Sequence, residues 1–115
     1  MVFDYEITPH TGYAVITLKG NLIEKSQALP LLEKVEEMCE SGCCKWAVDF
    51  TNMIYMNSSG LNTLIQLLTK ARVSGGEAVL YNMNKKISEL ILITKLHTLF
   101  KVAESKREAL SILGV

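Results

Sequence analysis

The alternation of apolar and polar residues predicts a chain built from both strands and helices. Residues 3–7 alternate, and after a turn residues 13–18 are rich in β-forming side chains, so the two segments predict a hairpin. Short β-rich runs at 45–50, 77–81 and 100–102 predict three more strands, and residues 51–56 are predicted to be a loop. Apolar residues at helical spacing predict four helices, which begin at 26–30, 58, 85 and 106.

Single positions in these helices also have predicted roles. Ser26 is a candidate N-cap of the first helix, and Pro30 is expected in its first turn. The second helix is expected to pack at least three of four residues beneath the sheet: Leu61, Leu64, Ile65 and Leu68. The last helix is expected to bury Ala109, Ile112 and Leu113.

The order of these elements, β-β-α-β-α-β-α-β-α, predicts an α/β fold. Strands that alternate with helices form parallel pairs through right-handed crossovers, so we expect a mixed, mostly parallel sheet of about five strands with four helices. A chain of 115 residues has the size of one domain, and residues 1–115 are therefore predicted to form a single domain.

The charge balance and the first residues of the chain predict the compartment of the protein and the kinds of partner that it can bind. Twelve Lys plus Arg balance twelve Asp plus Glu, so the chain has no positive surplus with which to bind nucleic acid. The first residues lack a basic leader and no apolar run approaches the ~18 residues of a membrane span, which predicts a cytoplasmic protein without a span. In that compartment Cys39, Cys43 and Cys44 are expected to be thiols, and their spacing does not fit a metal site.

The sequence lacks the motifs that commonly mark catalytic sites. Ser58 lies between a predicted strand and a helix, as a nucleophile elbow does, but Met56 stands where the first glycine of G-x-S-x-G belongs. A serine nucleophile also needs a histidine base, and His10 and His97 lie far away in sequence. We therefore predict no catalytic residue, no metal ligand and no cofactor, and no enzymatic activity.

The turn before the second helix is the strongest candidate for a regulated site. With Asn57 as the N-cap, Ser58 and Ser59 lie in the first turn, where backbone N–H groups lack partners and the helix dipole favours negative charge. A phosphate there would leave the helix intact and would add about −1.5 to −2 charges to a docking surface. Judged from these residues alone, simple helix capping is the favoured role, because serine is common at helix starts.

Residues 49–61 resemble the signature D-L-S-x-V-x-F-M-D-S-S-G-L of the STAS domain family. Residues 15–22, 75–80 and 96–110 resemble further segments of that family, so the resemblance covers nearly the whole chain. Within that family, the chain resembles the anti-sigma factor antagonist type. This implies a mixed sheet with its helices packed mainly on one face.

The resemblance also implies a function in bacterial partner switching. Such proteins bind an anti-sigma factor of the GHKL protein-kinase type; phosphorylation of the serine that corresponds to Ser58 ends binding, and a PP2C-type phosphatase restores it. The residues expected to contact the partner are Asn57, Ser58, Ser59, Gly60 and Ile23.

Three positions differ from the family pattern. Asn57 and Ile23 replace aspartates, and Lys95 replaces a glycine. Asn caps a helix about as well as Asp, but the two missing acids could belong to what a kinase reads. The alternative function is a STAS interaction or scaffold module without a switch, such as the small subunit of a lipid-trafficking transporter.

Overall fold

Five strands form one mixed sheet in the order β1-β2-β3-β4-β5 in this computed structural model, which describes residues 2–115. The β1–β2 pair is an antiparallel hairpin, and the other three neighbouring pairs are parallel. The strands are β1 (Asp4–His10), β2 (Tyr13–Leu22), β3 (Lys45–Met56), β4 (Glu77–Tyr81) and β5 (Lys101–Ala103).

Four α-helices connect or follow the parallel strands, in the predicted order. They are α1 (Leu29–Glu40), α2 (Ser58–Val73), α3 (Lys85–Ile93) and α4 (Lys106–Leu113). Short 3-10 turns at Lys25–Ala28 and Leu96–Thr98, which the sequence pattern did not predict, precede α1 and β5. The predicted α/β fold is therefore confirmed.

The helices divide unequally between the faces of the sheet. One face and the helices α1, α2 and α3 form the larger core, which includes the fully buried Trp46, Phe50 and Leu64. The other face is covered by α4 alone, through Ala109 and Leu113. Most of the helical packing is thus on one face, as expected.

The prediction of a loop at residues 51–56 is wrong, because β3 continues through them to Met56. Two register shifts relative to β2 interrupt the alternation: Phe50 and Thr51 lie opposite Leu18 alone, and Ile54 has no opposite residue. A bulge places successive side chains on unexpected faces, so the period of two that identifies a strand disappears. Beyond Asp49 this stretch pairs with β2 only.

Smaller differences from the prediction concern caps and the exposure of single residues. Ser26 does not cap α1, whose N-cap is Ala28, while Pro30 lies in the first turn as expected. In α4, Ile112 is exposed rather than buried. Lys95, where the resembled family has glycine, adopts φ 60° and ψ 18°. Glycine occupies this left-handed region without the steric cost of a Cβ, which accounts for the family's preference.

Candidate functional site

Asn57 connects the end of β2 to the start of α2 through both halves of its side-chain amide. As N-cap residue, its Oδ1 accepts from the N–H of Gly60 at 3.2 Å. Its Nδ2 donates to the carbonyl oxygen of Ile23 at 3.0 Å, and its backbone N–H donates to Leu22 at 3.4 Å. An aspartate could make the first of these side-chain bonds but not the second, because a carboxylate has no N–H.

The two serines of the first turn have different environments. Ser58 is exposed, whereas Ser59 is half-buried and its carbonyl accepts from the hydroxyl of Thr63 at 3.2 Å. Within residues 2–115, the side chain of Ser58 makes no hydrogen bond, and the backbone N–H groups of both serines have no acceptor. The turn therefore combines one accessible hydroxyl with two free N–H donors at the positive end of a 16-residue helix.

Gly60 is buried where α2 approaches the end of β2. A Cβ at this position would lie 2.6 Å from the carbonyl oxygen of Leu22 and 2.8 Å from Cβ of Met56. The helix can begin this close to the sheet because residue 60 has no side chain. Gly60 thus allows the first turn of α2 to lie against the end of β2, and it presents no side chain to a partner.

The structure brings the five predicted contact residues together, four of them at the surface and Gly60 buried beneath them. Ile23 is 41% exposed and lies beside Asn57, and Ser58 and Ser59 follow immediately on α2. The backbone N–H of Ile23 donates to Oε1 of Gln27 at 2.9 Å, which anchors the segment between β2 and α1. The geometry agrees with one continuous surface around the start of α2.

An open groove of about 300 Å³ lies beside Ser58, between the end of β3 and the first turns of α2 and α3. Four apolar side chains line it, together with Asn57, Ser58 and Lys86; the apolar ones are Tyr55, Met56, Ile87 and Leu90. Lys86 forms no ion pair with any residue from 2 to 115. On the other side of the turn, Lys25 and Ser59 line a second groove.

Sequence reasoning missed Tyr55 and Lys86 as members of this surface. Tyr55 was assigned to a loop, although it is a strand residue that is 48% exposed. Lys86 could have been found from topology, because helices that follow parallel strands begin at the same edge of a sheet. The first turns of α2 and α3 are therefore neighbours, but the position of Lys86 beside Ser58 depends on how α3 packs against the sheet, which leaves no local signal in the sequence.

Asp49, the first residue of the signature, lies away from the serine turn. Its Oδ1 accepts from the backbone N–H of Thr51 at 2.9 Å and from the Thr51 hydroxyl at 2.6 Å. Burial, and secondly the Asp49 carboxylate, raise the pKa of Tyr81 to about 12. Asp49 and Tyr81 are the last paired residues of β3 and β4, so this cluster marks the point where the two strands separate.

Neither histidine lies at the serine turn. His10 stacks on Tyr13 at the hairpin, with ring centroids 4.7 Å apart, at the opposite end of β2. Since β2 rises about 3.3 Å per residue, roughly 30 Å separate that end from Leu22. His97 is exposed and follows the C-terminal end of α3.

Residues 2–115 contain neither a metal-binding cluster nor a membrane-spanning helix. No three side chains of His, Cys, Asp or Glu converge as metal ligands there. No helix in the same range combines the length and apolarity needed to cross a bilayer.

The chain is similar in sequence to a known protein family and to a member with a described function. A model of the STAS domain family matches residues 4–109. The anti-sigma F factor antagonist of Paenibacillus polymyxa is 22% identical over 115 residues, which are 100% of this chain and 98% of that protein.

Solved structures share the fold at low sequence identity. An anti-sigma factor antagonist from Mycobacterium paratuberculosis is similar with a TM-score of 0.79 and 17% identity, covering 98% of this chain and 95% of that one. The phosphorylated form of the Bacillus cell fate determinant SpoIIAA is similar with a TM-score of 0.72 and 17% identity, covering 94% and 97%.

Proposed function

Because the chain belongs to the STAS domain family, we propose that it is an anti-sigma factor antagonist whose binding is switched by phosphorylation of Ser58. In its unmodified form it binds an anti-sigma factor of the GHKL protein-kinase type. That partner phosphorylates Ser58 and is released, and a PP2C-type phosphatase regenerates the binding form. The chain acts as a cytoplasmic, single-domain binding module and not as an enzyme. The observation that carries the proposal is the exposed hydroxyl of Ser58 in the first turn of α2, which makes no hydrogen bond within residues 2–115.

The local electrostatics favour a phosphate on Ser58. The N–H groups of Ser58 and Ser59, which have no acceptor within residues 2–115, are donors for a phosphate oxygen. The helix dipole contributes about 0.3–1 kcal/mol in favour of a negative group in the first turn. Lys86, which has no ion pair within residues 2–115, adds a cation beside the same groove. The fold therefore tolerates the modification.

The same phosphate disfavours the binding of a partner that covers the turn. Docking would remove a charge of about −1.5 to −2 from water, and an ion buried without a full partner is strongly unfavourable. Ile23 and Tyr55 flank Ser58 with exposed apolar surface that favours the unmodified complex. Phosphorylation would thus change binding without changing the fold.

The difference between the two serines supports Ser58 as the acceptor. A kinase must reach the hydroxyl, and Ser58 is exposed while Ser59 is half-buried. His10 lies far from the turn and His97 lies beyond α3, so neither is placed to act as a base for Ser58. This favours Ser58 as a phosphate acceptor over Ser58 as a catalytic nucleophile. The names of the similar proteins agree with this function, since they include anti-sigma factor antagonists and a phosphorylated form.

A constitutive scaffold function is the second candidate, and Ile23 is the observation that favours it. An exposed isoleucine replaces the family's aspartate beside the turn, and the Asn57 amide makes one bond in capping and one to Ile23. Such a surface suits permanent apolar contact. A kinase or phosphatase gene beside this one would favour the switch, and a transporter operon would favour the scaffold.

Phosphorylation by the cognate anti-sigma factor tests the proposal. The purified chain is incubated with that kinase and ATP, and the modified residue is identified by mass spectrometry. We expect one phosphate on Ser58, none on Ser58→Ala, and normal modification of the matched control Ser59→Ala. Phosphate on Ser59, or on no residue, would overturn the proposed switch.

A further inference from the structure

Three cysteines gather at the end of the molecule opposite to Ser58. Cys39 lies in the last turn of α1, and Cys43 and Cys44 immediately precede β3. The chain reverses between them in a Schellman motif: the N–H of Gly42 donates to Cys39 at 3.1 Å, and the N–H of Cys43 donates to Met38 at 2.8 Å. Gly42, at φ +94°, permits this reversal, which returns Cys44 to the side of α1 that carries Cys39.

The thiols of Cys39 and Cys44 both contact the C-terminal end of α2, at carbonyl groups four residues apart. Sγ of Cys39 donates to the carbonyl oxygen of Lys70 at 4.0 Å, and Sγ of Cys44 donates to that of Ser74 at 3.3 Å. Burial raises the pKa of Cys44, and the charge of Cys39 and a hydrogen bond to its thiol raise it further. Burial also raises the pKa of Cys43, with a smaller contribution from Cys39.

We propose that Cys39 and Cys44 form an intramolecular disulfide when the reduced chain meets a peroxide. Cys44 reacts first, because its contact with Ser74 lies at the surface while that of Cys39 is partly buried. Since the thiolate is the reactive form, the raised pKa of Cys44 makes this step slow at neutral pH and faster as the pH rises. Its sulfur attacks one oxygen of hydrogen peroxide and the O–O bond breaks. The hydroxide that leaves takes the proton of Cys44 and becomes water, and Cys44 becomes a sulfenic acid. The sulfur of Cys39 then attacks that of Cys44, the S–O bond breaks, and the proton of Cys39 departs in a second water. The two thiols supply the two electrons that reduce the peroxide.

Cys43 does not form a disulfide with Cys44. A disulfide between neighbouring Cys43 and Cys44 would distort the peptide bond that joins them, and nonplanar peptides are costly. The backbone there is also held on both sides, since the carbonyl of Cys43 accepts from Nε1 of Trp46 and that of Cys44 accepts from Glu77, both at 3.0 Å.

The disulfide would join the end of α1 to the start of β3 and remove two S–H donors from the last turn of α2. At about 1.5 Å per residue, the 16 residues of α2 separate this end from Ser58 by roughly 24 Å. The thiol pair is thus a modification site independent of the serine switch. Ser58 phosphorylation is expected to proceed equally in the reduced and oxidised proteins.

Peroxide treatment of the full-length protein tests the proposal. We expect the free thiols, counted after denaturation, to fall from three to one per chain, and dithiothreitol to restore all three. Cleavage after Glu40 under non-reducing conditions should leave the peptide of Cys39 linked to the peptide of Cys43 and Cys44. The Cys39→Ser and Cys44→Ser variants should form no intramolecular disulfide, whereas the matched control Cys43→Ser should form it as wild type does.

Three results would overturn the proposal. They are retention of three thiols after peroxide treatment, a disulfide between two chains, and loss of the intramolecular bond in Cys43→Ser while that variant keeps the wild-type melting temperature. The peptide mapping uses wild-type protein, so the proposal stays testable if a serine variant folds poorly. Cys39→Ala then serves as a second variant.

Discussion

Replacing Gly60 with alanine tests whether the helix start is held against the end of β2. The added Cβ would lie 2.6 Å from the carbonyl oxygen of Leu22 and 2.8 Å from Cβ of Met56, well inside ordinary van der Waals contact. Both neighbours belong to strand ends, and the Leu22 carbonyl also accepts from the N–H of Asn57. Neither can move without shifting the turn that presents Ser58.

Two opposing effects decide the magnitude. Alanine is favoured over glycine inside a helix by about 0.8–1 kcal/mol. Overpacking a closely packed site costs about 1–3 kcal/mol. Because the clash at Gly60 is with backbone and with a strand Cβ, we expect the upper part of that range and a net loss of about 1–2 kcal/mol in the free energy of unfolding.

Urea unfolding followed by circular dichroism measures this loss. The matched control is Asn62→Ala, an exposed position of the same helix, where the propensity gain occurs without a clash and stability should stay equal or rise. The amide resonance of Asn57 should also shift in Gly60→Ala and remain unchanged in the control. A Gly60→Ala protein as stable as wild type would refute the close approach of α2 to β2.

Three further predictions concern the core, a strained residue and a perturbed tyrosine. Leu64→Ala, at a side chain that is 1% exposed, should cost about 2–5 kcal/mol in urea unfolding, and the exposed control Gln66→Ala less than about 0.5 kcal/mol. A loss below that control value for Leu64 would mean that the register of α2 is misread. Lys95→Gly should stabilise the chain by about 0.5–1 kcal/mol, because glycine adopts the left-handed conformation without a Cβ clash; a lower melting temperature would contradict this. Burial and Asp49 raise the pKa of Tyr81 from 10.0 to about 12. Between these two pH values the folded state keeps a proton that the unfolded state releases. The stability that protonated Tyr81 contributes is therefore present below pH 10 and lost as pH rises towards 12. A tyrosinate absorbance step near pH 12 should be present in wild type and absent in Tyr81→Phe, and its persistence in that variant would refute the assignment.

The sequence pattern was sufficient for the elements that obey a regular period. Leu61, Leu64 and Leu68 repeat at helical spacing, and all three are buried beneath the sheet as predicted, with Ile65 half-buried beside them. The second half of β3 could not be predicted, because two bulges remove the alternation that distinguishes a strand from a loop. Tertiary pairing with β2, and not local propensity, makes residues 51–56 a strand.

The candidate site was predictable where it is contiguous in sequence. Asn57 and Ser58 follow one another at a helix start, and the capping role of Asn57 is confirmed by its bond to Gly60. Its second bond, to Ile23, depends on how β2 and β3 end together and leaves no local signal. The same holds for Lys86, whose place beside Ser58 depends on the packing of α3.

The affinity for the cognate anti-sigma factor, measured by calorimetry with Ser58 unmodified and with phosphoserine incorporated at position 58, tests the switch most directly. Because a buried charge without a full partner costs about 3–5 kcal/mol, we expect the phosphorylated form to bind at least roughly 100-fold more weakly. Ser58→Asp should weaken binding in the same direction, Ser58→Ala should bind at least as well as wild type, and all forms should keep the wild-type circular dichroism spectrum. Equal affinity of the phosphorylated and unmodified proteins would contradict the switch and leave the constitutive scaffold in its place.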